Sequence, residues 1–324
     1  MSAAGTVVAR RGGHVESVHR FAWRLTEPGG AGRGAGEVGP VFVRSAAKPF
    51  QALPAVAAGA LERFGLDDRH LAVGCASHGG DGRHLGRVAE ILAACGVGEA
   101  DLGCGPLAPR DPRAAAALSG PPRRIHHNCS GKHALGLALC VAEGWPVAGY
   151  LERDHPLQRA MRTSIARATG TAAGELPDAV DGCGMRTYAV ALERLAAAFG
   201  ALAAGGLGPE GARAAQAMNG HPALVGFTGA IDTELMAAVP GLVAKIGAEA
   251  VIAIGLPDGR GLALKVLDGS GRAIDPAAVL CARELLGLAA DTPALQRLAT
   301  PVILNSRGEV AGGLEARLPG TIDD

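Results

Sequence analysis

Strand-like segments stand at the two ends of this 324-residue chain, and helical segments occupy the stretch between them. Near the start, residues 5–25 read as two β segments around a Gly-Gly turn, and residues 41–44 form a short apolar run. Near the end, residues 241–274 alternate or run apolar between glycine turns, which indicates adjacent strands. This order predicts a mixed α/β fold of the α+β type, with an antiparallel sheet built from both chain ends and a helical middle region.

The middle of the chain carries the patterns of helices and turns. The segments that read as helical are 45–65 with Pro54 inside it, 83–96, 129–144, 154–169 and 187–218 with a break at 201–211. The compact apolar run 71–77 is predicted as a buried strand. We expect one domain over 1–324, with sheet parts at about 1–77 and 240–324 and a mainly helical part at about 78–239.

Charge and composition exclude several function classes. Lys and Arg number 31 and so do Asp and Glu, and this balance argues against a nucleic-acid partner. No apolar run approaches the roughly 18 residues of a membrane span, and the start lacks the pattern of a secretory signal. The seven cysteines are odd in number and irregular in spacing, which is typical of reduced thiols. The sequence therefore predicts a cytoplasmic protein with no membrane partner.

Lysine is scarce, since 27 of the 31 basic residues are arginines. The four lysines are Lys48, Lys132, Lys245 and Lys265. Arginine does not deprotonate in proteins, whereas a lysine can act as a neutral amine when its surroundings lower its pKa. The lysines are therefore candidates for tasks that arginine cannot perform.

Two serine motifs are candidates for nucleophilic catalysis. Ser45 and Lys48 form an S-x-x-K at a predicted strand-to-helix junction, a spacing that lets a neutral lysine take the serine proton. Ser77 ends the apolar run and precedes a glycine turn, a position that often faces a cleft. The alternatives are a helix-capping serine in each case, with Lys48 in solvent.

Three further residues could bind a metal. Cys129 and Lys132 lie three apart at a predicted helix start, and Cys183 lies in a polar glycine turn. Two remote thiols with a nitrogen or oxygen ligand can form a zinc site, but two buried free thiols are the alternative. Lys245 lies in a predicted apolar strand, where its ammonium is poorly solvated unless the strand is at a sheet edge and the side chain reaches solvent.

Together these motifs resemble one family, the Rhizobium etli-type inducible L-asparaginases, which are similar in fold to serine β-lactamases and glutaminases. The matching blocks, in order, are RSAAKPFQALP (44–54), CASHGGDGRH (75–84), NCSGKHALGL (128–137), DHP (154–156), DGCGM (181–185) and GLVAKIGAEAVIAIG (241–255). The match runs over nearly the whole chain.

The resemblance implies hydrolysis of L-asparagine to L-aspartate and ammonia in a homodimer. It implies two Ser–Lys pairs, Ser45 with Lys48 and Ser77 with Lys245, and we favour Ser45 over Ser77 as the nucleophile. It also implies one zinc ion per chain, and the residues that match its ligands are Cys129, Lys132 and Cys183. Candidates for substrate contact or for supporting the metal site are Asp181, His133 and Asp232.

Two other functions remain open at this point. The first is a related serine hydrolase, either a glutaminase or a β-lactam-type enzyme. One methylene gives only about 1–3 kcal/mol of discrimination, so asparagine and glutamine are hard to separate from sequence. The second is a zinc-bound protein that binds a ligand without catalysis.

Overall fold

A computed structural model of the chain describes residues 3–29, 32–289 and 291–319. The chain divides into two compact units. The sheet unit comprises 1–46, 190–204 and 234–324, and the helical unit comprises 47–189 and 205–233. The single domain expected over 1–324 stays a prediction.

Most strands lie near the two chain ends. The strands of the described residues are β1 Gly5–Arg11, β2 His14–Thr26, β3 Gly32–Ala35, β4 Val41–Phe42, β5 Asp178–Val180, β6 Arg186–Val190, β7 Val243–Gly247, β8 Val251–Gly255, β9 Gly261–Val266, β10 Val302–Leu304 and β11 Val310–Arg317.

Helices fill most of the middle and return near the end. The α-helices of the described residues are α1 Lys48–Ala57, α2 Ala60–Arg63, α3 Asp68–Gly74, α4 Gly82–Ala94, α5 Pro112–Ala116, α6 Ser130–Glu143, α7 Pro156–Thr169, α8 Leu192–Ala203, α9 Pro209–Gly220, α10 Pro222–Val225, α11 Ile231–Ala238, α12 Ile274–Glu284 and α13 Pro293–Ala299. Short 3₁₀ helices include Arg44–Ala47.

The sheet unit contains one antiparallel sheet of the order β10-β11-β1-β2-β9-β8-β7, with β3 also paired to β2. Strand β1 pairs with β2 on one side and with β11 on the other, so that Val7 lies opposite Ala316. Burial alternates along β1, while every residue of β8 is buried. Helix α8 packs on β2, β8 and β9, and α12 packs on β1 and β11. The α+β class, with a sheet from both chain ends and a helical middle, is confirmed.

The helical unit is organised around α6, in which every residue from Ser130 to Cys140 is buried. Helices α1, α3, α4 and α7 pack on it. A Cβ at Gly131 would lie 2.2 Å from the carbonyl oxygen of Val73, so only glycine lets the start of α6 approach the end of α3 this closely. This contact places the start of α6 beside the chain that continues from α3 to Ser77.

Two local predictions were wrong. The run 71–77, expected to be a strand, belongs largely to α3, because Asp67 and His70 form a capping box at its start. A short apolar run does not distinguish a strand from a buried helix by periodicity. Residues 187–190, expected to be helical, belong to β6, where Tyr188 pairs with Asp178 of β5. In addition, Pro54 lies inside α1 without ending it.

In the part of the chain that the structure describes, no helix is both long and apolar enough to cross a membrane.

Candidate active site

Lys48 and Ser77 meet in the helical unit. Lys48 is the first residue of α1 and is completely buried. Its Nζ donates to the Ser77 Oγ at 3.0 Å and to the Ala76 carbonyl oxygen at 2.6 Å. Burial lowers the pKa of Lys48 below its ordinary value, although the Cys129 sulfur opposes this shift. A buried lysine with a lowered pKa, hydrogen-bonded to a serine hydroxyl, has the features of a general base.

The backbone around Ser77 is held by a ladder of hydrogen bonds. The Ser77 N–H donates to Val225 O at 2.9 Å, and the Gly79 N–H donates to Gly226 O at 3.2 Å. Between them, the His78 N–H donates to Asn128 O at 3.1 Å. Three backbone bonds on consecutive residues fix the Ser77 side chain relative to the start of α6.

The two sulfurs singled out in the sequence lie together. Cys129 precedes α6, and Cys183 lies in the turn between β5 and β6. Their mutual hydrogen bond lowers the pKa of Cys183 far below its ordinary value and raises the pKa of Cys129 well above its own. The Lys132 Nζ lies 3.2 Å from the Cys183 Sγ and also lowers the pKa of Cys183. The surroundings therefore favour the loss of one proton from this pair of sulfurs.

Lys132 completes this cluster. Burial lowers the pKa of Lys132, but the sulfurs of Cys183 and Cys129, together with Asp181, outweigh it and raise the pKa above its ordinary value. Asp181 lies in the same turn as Cys183 and accepts a hydrogen bond from the Gly182 N–H at 2.7 Å. The sulfurs therefore favour the charged form of Lys132 when no metal is bound.

The donor chemistry of this cluster fits a zinc ion. Thiolates and a neutral amine are suitable zinc ligands, and all three side chains are buried, with Cys183 in contact with both Lys132 and Cys129. Among the described residues no group of three His, Cys, Asp or Glu side chains is arranged to hold a metal. The proposed group contains only two residues of these types, Cys129 and Cys183, because its third residue, Lys132, is a lysine.

Two further predicted residues of the helical unit are His133, next to Lys132, and Asp232, next to the segment that pairs with Ser77. His133 is fully buried, one residue after Lys132, and its Nδ1 lies 2.6 Å from the Tyr150 Oη. Asp232 is fully buried near the start of α11 and accepts a hydrogen bond from the Thr233 N–H at 3.1 Å. A Cβ at Gly226 would lie 3.0 Å from the Asp232 Oδ1, so Asp232 borders the segment that pairs with Ser77.

Ser45 and Lys245 belong to the sheet unit. Ser45 is half-buried in the 3₁₀ turn Arg44–Ala47, and Arg44 has a left-handed φ of 49°. Non-glycine residues hold that conformation at a cost, and such strain often occurs at functional sites. Lys245 lies in β7 and pairs with Ala253 of β8. Although β7 is the last strand in the sheet order, Lys245 is completely buried, so its side chain does not reach solvent. A Cβ at Gly247 would lie 2.6 Å from Val43 O, which places the end of β7 against the Ser45 segment.

The structure brings Lys48 to Ser77 and brings Lys132 to both cysteines. The pairings of Ser45 with Lys48 and of Ser77 with Lys245 stay predictions. The sequence did not single out Tyr150, which contacts His133 and is one of only two tyrosines in the chain. That scarcity was the one signal that could have indicated it.

The chain was compared with known protein families, curated proteins and solved structures. No curated protein matches the chain significantly. A solved structure, that of Mglu in its native form in the presence of 4.3M NaCl, is similar with 16% identity and a TM-score of 0.39. The match covers 85% of this chain and 63% of that chain. The family model described as L-asparaginase II matches residues 7–316. Because that model covers nearly the whole chain, this protein belongs to the L-asparaginase II family.

Proposed function

We propose that this protein hydrolyses L-asparagine to L-aspartate and ammonia through a serine acyl-enzyme, with a lysine as the base. Family membership supports the overall reaction. The observation that carries the mechanism is the hydrogen bond from the buried Lys48 Nζ to the Ser77 Oγ. A lysine in that position can accept a serine proton at a pH where an exposed lysine stays protonated.

The proposed reaction has two steps. The serine Oγ attacks the side-chain amide carbon of asparagine, its proton passes to the neutral lysine, and ammonia leaves with that proton as the C–N bond breaks. Water then cleaves the resulting ester and releases aspartate. Ser45 is the proposed nucleophile from its S-x-x-K position, with Ser77 and Lys245 as the second pair. The bond from Lys48 supports Ser77 as the alternative nucleophile.

We also propose that Cys129, Lys132 and Cys183 hold one zinc ion per chain. When bound, zinc supplies a fixed positive charge that can orient the substrate or hold the pocket wall. The chain itself must release protons for this: Cys129 loses its thiol hydrogen and Lys132 becomes a neutral amine. Asp181, which interacts with Lys132, would then support the ligand set from outside or contact the substrate amino group.

The proposal extends to the cellular compartment and the oligomeric state of the enzyme. None of the seven cysteines, all in the described part of the chain, forms a disulfide, which supports a reducing compartment, and we propose the cytoplasm. We further propose a homodimer, which light scattering on the purified protein tests directly.

The decisive experiment measures ammonia release from L-asparagine and from L-glutamine, with zinc quantified in the same samples. Wild type is compared with Ser45→Ala, Ser77→Ala and Lys48→Arg. Release from asparagine that disappears in Ser45→Ala supports Ser45 as the nucleophile, whereas trapping of an acyl-enzyme on Ser77 moves the assignment there. Preference for glutamine would indicate a glutaminase. No release from either amide by zinc-loaded wild type would contradict the proposal and favour a binding protein.

A further inference from the structure

Gly103, Tyr150 and His133 form a chain of hydrogen-bonding groups, and His133 follows Lys132 of the cluster in sequence. The Gly103 N–H donates to the Tyr150 Oη at 2.6 Å, and the Tyr150 Oη lies 2.6 Å from the His133 Nδ1. Both side chains are buried, with Tyr150 4% and His133 0% exposed. The two rings meet edge to face, with centroids 5.7 Å apart and planes at 82°. The reaction proposed above uses no group on Tyr150.

The direction of these hydrogen bonds follows from donor and acceptor counting. Oη already accepts the Gly103 N–H, so the hydroxyl hydrogen of Tyr150 needs an acceptor of its own. Within residues 3–29, 32–289 and 291–319, the acceptor that the structure supplies to it is the His133 Nδ1. A histidine ring that accepts at Nδ1 carries its hydrogen at Nε2.

The other ring nitrogen of His133 is the atom that remains for an interaction with Cys183. His133 Nε2 is fully buried, and no described residue satisfies it with hydrogen-bond geometry. The Cys183 sulfur interacts with the His133 ring, and because Tyr150 occupies Nδ1, Nε2 is the atom left to meet that sulfur.

The packing around Gly103 shows that this arrangement is tightly built. A Cβ at Gly103 would lie 2.9 Å from the Tyr150 Oη and 2.6 Å from Leu151 Cδ1. A side chain at position 103 would therefore displace Tyr150 or Leu151. The absence of a side chain lets the Gly103 N–H reach the hydroxyl and fix its direction.

We propose that Tyr150 is a positioning residue, whose hydroxyl fixes His133 as the Nε2–H tautomer and aims that hydrogen at the Cys183 sulfur. Supporting residues of this kind orient metal-site groups, and their loss typically weakens metal affinity about 10–100-fold. The effect on zinc rests on the proposed zinc site, whereas the tautomer of His133 does not depend on it.

The test uses nitrogen-15 NMR of the full chain, in the zinc-free and the zinc-loaded protein. Long-range proton–nitrogen spectra distinguish the two tautomers, and the His133 signals are identified by their absence in His133→Gln. The matched control is Tyr188→Phe, which removes the hydroxyl of the other tyrosine, also buried. We expect the Nε2–H tautomer in wild type and in Tyr188→Phe, and a mixture of tautomers in Tyr150→Phe.

Zinc affinity, measured by competition with a chelator, is the second readout. We expect a loss of about 10–100-fold in Tyr150→Phe and wild-type affinity in Tyr188→Phe. An Nδ1–H tautomer in wild type overturns the proposal, even if Tyr150→Phe does not fold. A wild-type tautomer in Tyr150→Phe also overturns it. If wild type binds no zinc, the zinc site is wrong, and the tautomer measurement still decides the role of Tyr150.

Discussion

The Lys48 Nζ lies 3.0 Å from the Ser77 Oγ, although 29 residues separate the two in sequence. The lysine comes from the start of α1, and the serine follows the end of α3. The structure therefore gives Lys48 a serine partner that the S-x-x-K spacing does not indicate. A buried lysine beside a serine hydroxyl is placed to accept the serine proton, and two of the predictions below therefore concern Lys48.

Substitution Lys48→Arg should nearly abolish catalysis. Arginine keeps the positive charge but does not deprotonate, so it cannot accept the serine proton. We expect kcat/KM for ammonia release from L-asparagine to fall about 10²–10⁴-fold. The control is Lys265→Arg in β9, where the Lys265 Nζ donates only to the backbone oxygens of Glu249 and Val266. Equal loss in the two variants would argue against Lys48 as a base.

The free energy of unfolding should depend on pH through Lys48. Its pKa in the folded protein is lowered from 10.5 by burial, so between that lowered pKa and 10.5 the unfolded chain binds a proton that the folded chain lacks. Stability from this group therefore rises with pH across that window. Urea unfolding from about pH 7 upward should show a slope in wild type that Lys48→Met lacks. Parallel curves for the two proteins would refute a lowered pKa.

Removal of one sulfur should abolish tight zinc binding. Cys183→Ser replaces a thiolate ligand by a hydroxyl that stays protonated, so affinity should fall well beyond the ~10–100-fold typical of a lost supporting residue. Wild-type affinity should itself decrease as pH falls, because protons compete with zinc for the Lys132 amine and the cysteine sulfurs. The control is Cys281→Ala, in the buried face of α12. Calorimetric titration with zinc measures all three, and wild-type binding by Cys183→Ser would contradict the site.

Gly226→Ala should destabilise the Ser77 segment. The new Cβ would lie 2.3 Å from the Thr233 Oγ1, and Gly226 O accepts the Gly79 N–H that holds this segment. We expect a loss of about 1–3 kcal/mol in the free energy of unfolding, together with lower kcat. Gly220→Ala is the control, because a Cβ there meets nothing within 4 Å. Thermal unfolding compares the two, and unchanged stability in Gly226→Ala would show that the segment yields easily.

The sequence predicted the sheet well because its strands carry their own pattern. Alternating or continuous apolar residues bounded by glycine turns identified β1, β2, β7, β8 and β9, and the segments at both chain ends pair in one sheet. Segment 71–77 was mistaken for a strand because a short apolar run has no distinctive period. Its helix depends on the capping residues Asp67 and His70, which the apolar pattern does not include.

The sequence predicted which residues belong to the candidate site better than it predicted which of them contact one another. The scarcity of lysine indicated Lys48 and Lys132, and motif resemblance indicated both cysteines. Spacing along the chain could not predict that Lys48 reaches Ser77, because that contact depends on how α3 and α6 pack around Gly131. Tyr150 was missed for the same reason, since its role arises only where the fold places it against His133.

The pairing of β1 with β11 has a consequence for the order in which the chain is made. Strand β1 leaves the ribosome before the other strands of this sheet, and its partner β11, Val310–Arg317, is synthesised some three hundred residues later. Until then the β1 edge of the β1–β2 hairpin stays open, and open edges invite pairing with other chains. The sheet is complete only after Arg317 has been made, whereas every residue of the helical unit has been made by Thr233. We therefore expect the helical unit to be compact on the ribosome before the sheet is complete, and chaperones that bind nascent chains to act on the β1–β2 hairpin.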